Sequence, residues 1–356
     1  MDHDNTLQTR NESVKTSVNK TRGRDPLWDN IRGLLIILVV CGHMIEACPL
    51  CPSVQELHRI IYAFHMPAFI FVSGFFARFR PARLLRSTIL PYLVFQPLYL
   101  LFATRVLKQF DAFDLQYTTP YWHLWYLVAI SIYHSMIPFL EEARNPLQRI
   151  LVLLVVCCAS VIVGYDSTIN TYLTLSRVVV FAPFYVAGFY LSHRRDSMRK
   201  RLVLLGIASL VLTTLLLYYQ LHGHNYEPTV LYGVAQYGEG YGPLRRVRLL
   251  MQGFSWIALL VAWMPRRHVP FLTTIGERTL PIFLLHGFIA RYVTFKFLGP
   301  VNTLSALAYV TALTALTLAC FGNGVVSSVF SLLFVPKKKE RKTGARHARH
   351  IATPRQ

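Results

Sequence analysis

Residues 28–76 read WDNIRGLLIILVVCGHMIEACPLCPSVQELHRIIYAFHMPAFIFVSGFF, and this stretch decides the class of protein. It contains two apolar segments, each long enough to enter a lipid bilayer. Both carry ionisable side chains, since Arg32 and His43 lie in the first segment and His65 lies in the second. An arginine at membrane depth costs roughly 2.5–3.5 kcal/mol on insertion scales unless it faces a cavity or a partner. These three residues are therefore predicted to be functional.

The polar residues of the first segment share one helix face. Arg32 and His43 are eleven residues apart in the sequence, which is about three helical turns and roughly 16 Å along the axis. Asp29 and Glu46 fall three residues to either side, near the same face. The pattern predicts one polar stripe on an apolar helix. The alternative interpretation is an arginine that snorkels to lipid headgroups and a histidine that bonds a neighbouring carbonyl.

An arginine, ten residues and a histidine on a first transmembrane helix resemble the acyltransferase-3 family of integral membrane acyltransferases. The start DNIRG, the end CGHMIE and the second segment FHMPAFIFVSGFF are similar to its fucose 4-O-acetylase-like branch. Further similar segments are WHLWYL at 122–127, SRVVVFAPFYVAGFYL at 176–191 and LPIFLLHGF at 280–288. The resemblance covers most of residues 28–335.

Composition sets the fold class independently. The 356 residues are 53% hydrophobic and only 15% charged, with a mean hydropathy of +0.38, whereas a soluble chain carries about 25% charged residues. We predict an all-α polytopic membrane protein built as a bundle of about ten transmembrane helices. Residues 1–27 are predicted to be a disordered cytoplasmic tail, residues 28–335 the membrane domain, and residues 336–356 a basic cytoplasmic tail.

Apolar windows of about 20 residues locate the predicted spans. The last of them is over-long and is interrupted by Gly322-Asn323-Gly324, and Pro67 is expected to kink the second. The predicted spans are 30–48, 57–77, 87–106, 122–140, 149–165, 176–192, 202–220, 248–264, 277–297 and 303–334.

The basic residues predict orientation and location. The net charge is +20, and most of the 37 lysines and arginines lie between apolar runs, on the inner side if the N-terminus is inside. The positive-inside rule then places both termini in the cytoplasm of a plasma-membrane protein. This charge suits anionic membrane lipids rather than nucleic acid.

An arginine-rich loop follows the second span. Arg78, Arg80, Arg83 and Arg86 lie within nine residues and form two overlapping Arg-x-x-Arg pairs. Guanidinium groups bind phosphate oxygens with two parallel hydrogen bonds, and acyl-CoA carries a pyrophosphate and a ribose phosphate. The loop is either a docking site for acyl-CoA or ordinary cytoplasmic charge. The resemblance favours docking, because a similar loop is implicated in donor binding in the family.

Other residues leave alternatives open. By resemblance Arg177 belongs to the family's constellation and is expected to help bind the donor, although alone it can simply snorkel. His286 lies mid-span, where a helix–helix hydrogen bond is the ordinary interpretation. The aromatic residues of 121–126 indicate either an interfacial belt or a sugar-stacking surface. Cys48 and Cys51 would need two further ligands to bind zinc, and none is obvious, so no metal is expected.

These observations predict an acyltransferase that moves an acetyl group from acetyl-CoA to a hydroxyl of a carbohydrate or glycolipid acceptor. His43 is the candidate base, His65 is expected either to share its cavity or to make a structural hydrogen bond, and Arg32 is expected to hold donor phosphates or to orient the stripe. A transporter or flippase is the alternative, but it predicts internal repeats, and the Arg32/His43 pattern does not recur. A b-type haem protein would need histidine pairs on facing helices.

Overall fold

The computed structural model describes residues 25–166, 168–169, 172–192, 202–222, 227–238 and 240–335. The predicted C-terminal tail and all but the last residues of the predicted N-terminal tail lie outside these ranges, as does the basic segment 194–201. The described residues form helices and no β-strand, so the all-α prediction is confirmed.

Fifteen helices, some joined by short 3₁₀ or π turns, follow one another in the described part of the chain. Their bounds are α1 Pro26–Ile45, α2 Pro52–Tyr62, α3 His65–Phe75, α4 Pro81–Leu107, α5 Trp125–Ser135, α6 Ile137–Glu141, α7 Pro146–Ile162, α8 Leu175–Ser192, α9 Leu202–Leu221, α10 Pro228–Leu231, α11 Pro243–Trp263, α12 Pro270–Glu277, α13 Thr279–Lys296, α14 Thr303–Phe321 and α15 Gly324–Phe334.

Six helices of the described residues are long and apolar enough to cross a membrane: α1, α4, α7, α8, α9 and α14. The predicted count of about ten spans is therefore not confirmed. Two predicted spans are broken into shorter helices, α2 with α3 and α5 with α6. Two others carry charge, because Arg246 and Arg248 lie near the start of α11 and Arg291 lies within α13.

The second predicted span breaks at Ala63–Phe64, one turn before Pro67. Phe64 has φ −138° and ψ −24°, outside the helical region, and His65 begins α3. Pro67 is the third residue of α3, where its missing N–H has no intrahelical acceptor to lose. In a continuous helix the proline ring would clash with the carbonyl four residues earlier, which is that of Ala63. The predicted interruption by Pro67 is therefore present, as a break directly after α2 ends at Tyr62.

Helix α1 is the centre of the bundle. In its apolar window 67% of the residues are buried, against 11% in α7 and 22% in α9. It packs against α2, α3, α11, α12, α13 and α14. The closest approach is to α12, where a Cβ on Gly33 would collide with the carbonyl oxygen of Leu272 and a Cβ on Gly276 with that of Asp29. Glycine at both positions lets these two backbones touch.

The Asn30 side chain fixes the first turn of α1. Its amide nitrogen donates to the carbonyl oxygens of Pro265 at 2.9 Å and Arg267 at 3.0 Å, and its oxygen accepts from the Thr273 hydroxyl at 2.6 Å. Asn30 is fully buried, so each polar atom has the partner that burial requires. These hydrogen bonds hold the start of α1 against the connection between α11 and α12. They thereby help to fix the position of the polar residues at the other end of α1.

Candidate active site

A three-residue hydrogen-bonded cluster lies at the last turn of α1. His43 Nδ1 is 3.0 Å from Glu46 Oε1 and 2.8 Å from the Tyr62 hydroxyl, and that hydroxyl donates to the same carboxylate oxygen at 3.1 Å. Three residues of helical spacing bring the histidine and the glutamate together, and α2 supplies the tyrosine. His43 is 9% exposed, so the cluster is nearly closed to solvent.

This geometry sets which nitrogen of His43 carries the hydrogen. An ionised carboxylate only accepts hydrogen bonds, and the Tyr62 hydroxyl already donates to Glu46. Nδ1 must therefore be the protonated nitrogen, which leaves a lone pair on Nε2. A carboxylate that orients a histidine in this way also stabilises the imidazolium formed when Nε2 takes a proton. The cluster is thus arranged as a general base.

Glycine and aromatic rings support the cluster. A Cβ on Gly42 would lie 2.8 Å from Cε2 of Tyr62, so only glycine admits the ring at this distance. The Tyr62 ring stacks on His58 with centroids 3.9 Å apart and meets His65 edge-on at 4.6 Å. His65 Nδ1 donates to the Ile61 carbonyl at 2.8 Å. The structure therefore places His65 behind Tyr62, in contact with the tyrosine of the cluster.

Two further histidines, from other segments of the chain, lie close to His43. The ring centroid of His286, in α13, is 5.3 Å from that of His43, and His123, just before α5, is 6.4 Å from His43 and 4.8 Å from His286. A Cβ on Gly287 would lie 2.5 Å from both His123 Cε1 and the Tyr99 hydroxyl, so this glycine makes the meeting possible. Within the described residues, no three histidine, cysteine or acidic side chains are placed to hold a metal ion.

Trp122 covers His43 and is held from its other side. Its ring centroid is 4.2 Å from that of His43, and the Arg291 guanidinium lies 5.1 Å from the indole. Arg291 also donates to the Tyr121 hydroxyl at 3.2 Å and to Gln109 Oε1 at 3.1 Å. Trp122 has φ +44°, a left-handed conformation that is uncommon for a bulky residue. Such backbone strain is found where a side chain must be aimed at a site.

Arg32 lies at the opposite end of α1 from the cluster. It forms a salt bridge with the buried carboxylate of Asp29 and a 3.4 Å hydrogen bond to the Trp28 carbonyl. Its guanidinium also lies 5.6 Å from the centre of the Phe76 ring. The polar stripe of α1 is therefore two local pairs, Asp29 with Arg32 and His43 with Glu46, separated by roughly 16 Å of helix.

The arginine-rich loop is solvent-exposed in the structure. Arg80, Arg83 and Arg86 are all exposed, at the start of α4 and its first π turn. Among the ion pairs of the described residues, none involves these three side chains. Arg83 lies within electrostatic range of His134, at the last turn of α5. These three exposed guanidinium groups have no acidic partner among the described residues and are available to bind phosphate.

The acyltransferase-3 family model, described as an acyltransferase domain, matches residues 26–322. The chain belongs to this family. The match begins at the first residue of α1 and ends directly after α14, so it contains every residue of the site. The protein is accordingly a membrane acyltransferase. Comparison with curated proteins and with solved structures returned no match.

Arg177 does not lie with the arginine loop of this acyltransferase. Its guanidinium is 5.0 Å from the Trp125 ring, at the first turn of α5, and it is within electrostatic range of Tyr62 and Tyr232. Arg83 lies within electrostatic range of His134, and His134 is nine residues further along the same helix than Trp125, or roughly 13 Å away. The structure thus places Arg177 near Tyr62 of the His43 cluster, and its role in donor binding stays a prediction.

Several residues of the site were missed as functional in the sequence. His123 and Trp122 were interpreted as part of an aromatic segment, His286 as a helix–helix bond, and Arg291 was not singled out. A signal existed in Gly287, because a glycine in the middle of an apolar helix indicates that a group from another segment packs closely against it. That signal does not name the partner helix.

Proposed function

We propose that this membrane acyltransferase is an O-acetyltransferase that moves the acetyl group of acetyl-CoA to a hydroxyl of a carbohydrate or glycolipid acceptor. The observation that supports it most is the His43–Glu46–Tyr62 cluster, with a lone pair on His43 Nε2. A hydroxyl is a weak nucleophile until a base removes its proton, and a neutral histidine is the side chain suited to that task near neutral pH.

The proposed transfer proceeds in one addition and one elimination. The acceptor hydroxyl oxygen attacks the thioester carbonyl carbon as its proton moves to His43 Nε2. The carbon–sulfur bond of the tetrahedral species then breaks, the acetyl ester is released, and the CoA thiolate takes the proton back from the imidazolium. Glu46 stabilises the imidazolium between these steps, because the protonated ring faces its carboxylate at 3.0 Å.

The exposed arginines supply the proposed donor site. Arg80, Arg83 and Arg86 bear fork-shaped donors that match phosphate oxygens, and none is neutralised by an acidic side chain of the described residues. Arg32 lies on the same helix as His43. It is proposed to contact acetyl-CoA as the thioester extends from the loop toward His43. The thioester would reach His43 through the long pantetheine arm, while the nucleotide stays at the loop.

The proposal places donor and acceptor on different sides of the plasma membrane. The N-terminus, the 78–86 loop and the C-terminus are proposed to be cytoplasmic, where acetyl-CoA is found, because basic residues concentrate in those segments. The His43 cluster lies at the other end of α1. Such an arrangement gives a membrane enzyme a task that a soluble enzyme cannot perform, namely the acylation of acceptors beyond the bilayer.

Purified protein in lipid nanodiscs, supplied with acetyl-CoA labelled in the acetyl group, tests this proposal. We expect release of free CoA thiol and transfer of label to a mixture of methyl glycosides, in a form that mild alkali removes because it is an ester. Label that survives mild alkali on amine acceptors would indicate N-acetylation and contradict the proposal. Absence of any thiol release would contradict acetyl-CoA as the donor.

A further inference from the structure

Three buried ring nitrogens beside His43 are not used by the proposed mechanism. They are both nitrogens of His123 and Nε2 of His286, and in the described part of the chain none has a hydrogen-bond partner. His123 is 3% exposed and His286 is fully buried. Burying a polar atom without a hydrogen-bond partner destabilises a protein. Their position against the candidate base suggests that a bound molecule satisfies them.

His286 offers this molecule a hydrogen-bond acceptor. Its Nδ1 lies 2.7 Å from the Phe283 carbonyl oxygen and 3.0 Å from that of Ile282. Carbonyl oxygens only accept, so Nδ1 of a neutral His286 must carry the hydrogen. Nε2 therefore holds a lone pair, and only a group with an O–H or N–H can satisfy it.

His123 offers a hydrogen-bond donor. Neither of its nitrogens makes a hydrogen bond of normal geometry within the described residues, and a neutral imidazole always carries one hydrogen and one lone pair. The two rings are 4.8 Å apart and tilted by 60°, and no hydrogen bond joins them. Together they present one donor and one acceptor to the same space. A hydroxyl group is the complementary ligand, because it donates one hydrogen bond and accepts another.

We propose that His123 and His286 form a binding subsite for a second hydroxyl of the acceptor, next to the hydroxyl that His43 activates. This proposal rests on the proposed function and narrows its substrate class to acceptors with adjacent free hydroxyls. The His43 and His286 ring centroids are only 5.3 Å apart, so we expect the two hydroxyls to lie close together, as on neighbouring carbons of the acceptor. An acceptor that lacks the second hydroxyl leaves buried polar groups unpaired, and such a site discriminates against it.

A pair of minimal probes tests the subsite. Wild-type protein in nanodiscs is supplied with acetyl-CoA and either cis-1,2-cyclohexanediol or cyclohexanol, and both ester formation and CoA thiol release are measured. The two probes share the ring and one hydroxyl and differ in the second hydroxyl. We expect kcat/KM for the diol to exceed that for the alcohol by about tenfold or more, after correction for its two reactive hydroxyls.

Variants of His286 assign this preference to the subsite. His286→Leu removes the acceptor atom and should abolish the preference, because the diol loses a much larger share of its kcat/KM than cyclohexanol does. His286→Asn retains a side-chain carbonyl oxygen and should keep part of the preference. His134→Leu is the matched control, because His134 Nδ1 lies 2.9 Å from the Ile130 carbonyl in the same way but outside the site. Thermal unfolding of each variant checks that it folds.

Each outcome decides between defined alternatives. Equal turnover of the two probes by wild type overturns the subsite. An equal loss of activity on both probes in His286→Leu also overturns it, because that is the result expected if a water molecule is all that the two histidines bind. CoA thiol release without acetylation of either probe overturns the subsite and leaves acetyl-CoA as donor. If no thiol is released with any probe, the proposed function fails, and the subsite fails with it.

Discussion

His43 and Glu46 are joined by a 3.0 Å hydrogen bond across one turn at the end of α1. This bond makes the histidine a base with a defined orientation, because the carboxylate fixes the hydrogen on Nδ1 and exposes the lone pair of Nε2. The pair stands on the most buried of the membrane-crossing helices. The fold therefore holds its reactive group on a rigid element.

Replacing the carboxylate with an amide should impair catalysis and spare the fold. Glu46→Gln keeps the size of the side chain but removes the charge that stabilises the imidazolium. We expect kcat to fall by about 100-fold or more, with little change in acceptor KM and a thermal midpoint close to that of wild type. Glu56→Gln, at an ion pair with Arg59 one helix away, serves as the control and should remain active. A Glu46→Gln variant with wild-type kcat would contradict the role of the carboxylate.

A methyl group at Gly287 should displace His123. Its Cβ would lie 2.5 Å from both His123 Cε1 and the Tyr99 hydroxyl, and overpacking of this kind costs about 1–3 kcal/mol. We expect Gly287→Ala to lower both the thermal midpoint and the transfer rate, whereas Gly238→Ala, which meets no atom within 4 Å, should change neither. Equal stability of the two variants would show that the helices around His123 are loosely packed.

Substitutions in the arginine-rich loop should change the affinity for acetyl-CoA and not the rate of the chemical step. Arg83→Ala removes a charge-assisted contact worth about 1.5–3 kcal/mol, so acetyl-CoA KM should rise by roughly 10- to 150-fold while kcat stays largely intact. Arg83→Lys keeps the charge without the fork and should recover only part of the affinity.

Arg144→Ala is the control for this loop, because Arg144 pairs with Glu142 at a highly exposed site where an ion pair contributes little. Titration of acetyl-CoA into the purified variants measures the effect. Identical affinities in wild type, Arg83→Ala and Arg83→Lys would leave the loop with only its role in membrane orientation, and the donor site would then be sought near Arg32.

The proposed orientation predicts which residues can be labelled from outside. In a cysteine-free background, a cysteine at Ser87 should resist a membrane-impermeant maleimide in intact cells, because the 78–86 loop is proposed to be cytoplasmic. A cysteine at Tyr165, which is 69% exposed at the end of α7, should react. External labelling at Ser87 would reverse the orientation and the donor route with it.

The sequence predicted those parts of the site that depend on local spacing. Asp29 with Arg32 and His43 with Glu46 lie near one face of a continuous helix, so counting residues is sufficient to bring each pair together. Pro67 predicted an interruption of the second span, but not that α2 and α3 would be two separate helices with the break at Ala63–Phe64. The count of about ten spans is not confirmed, because an apolar window does not reveal where a helix is broken into shorter pieces.

The convergence of His123 and His286 on His43 could not be read from the sequence. These residues come from three segments, and their meeting depends on how α13 packs beside α1 and the start of α5. Trp122 and Arg291 are likewise joined only by tertiary structure. Trp122 looked ordinary in its own segment, as an interfacial aromatic, and Arg291 was not singled out.

The central claim is that His43 is the base of the transfer, and its substitution tests this claim most directly. His43→Ala and the control His134→Ala should both be purified as folded membrane proteins with similar thermal midpoints, and acetyl ester formation from acetyl-CoA should be measured in parallel under saturating donor. We predict that His43→Ala loses transfer by about 100-fold or more, in line with the 10²–10⁴-fold contribution of a general base, while His134→Ala remains active. Turnover by a folded His43→Ala protein comparable to that of wild type would contradict the account.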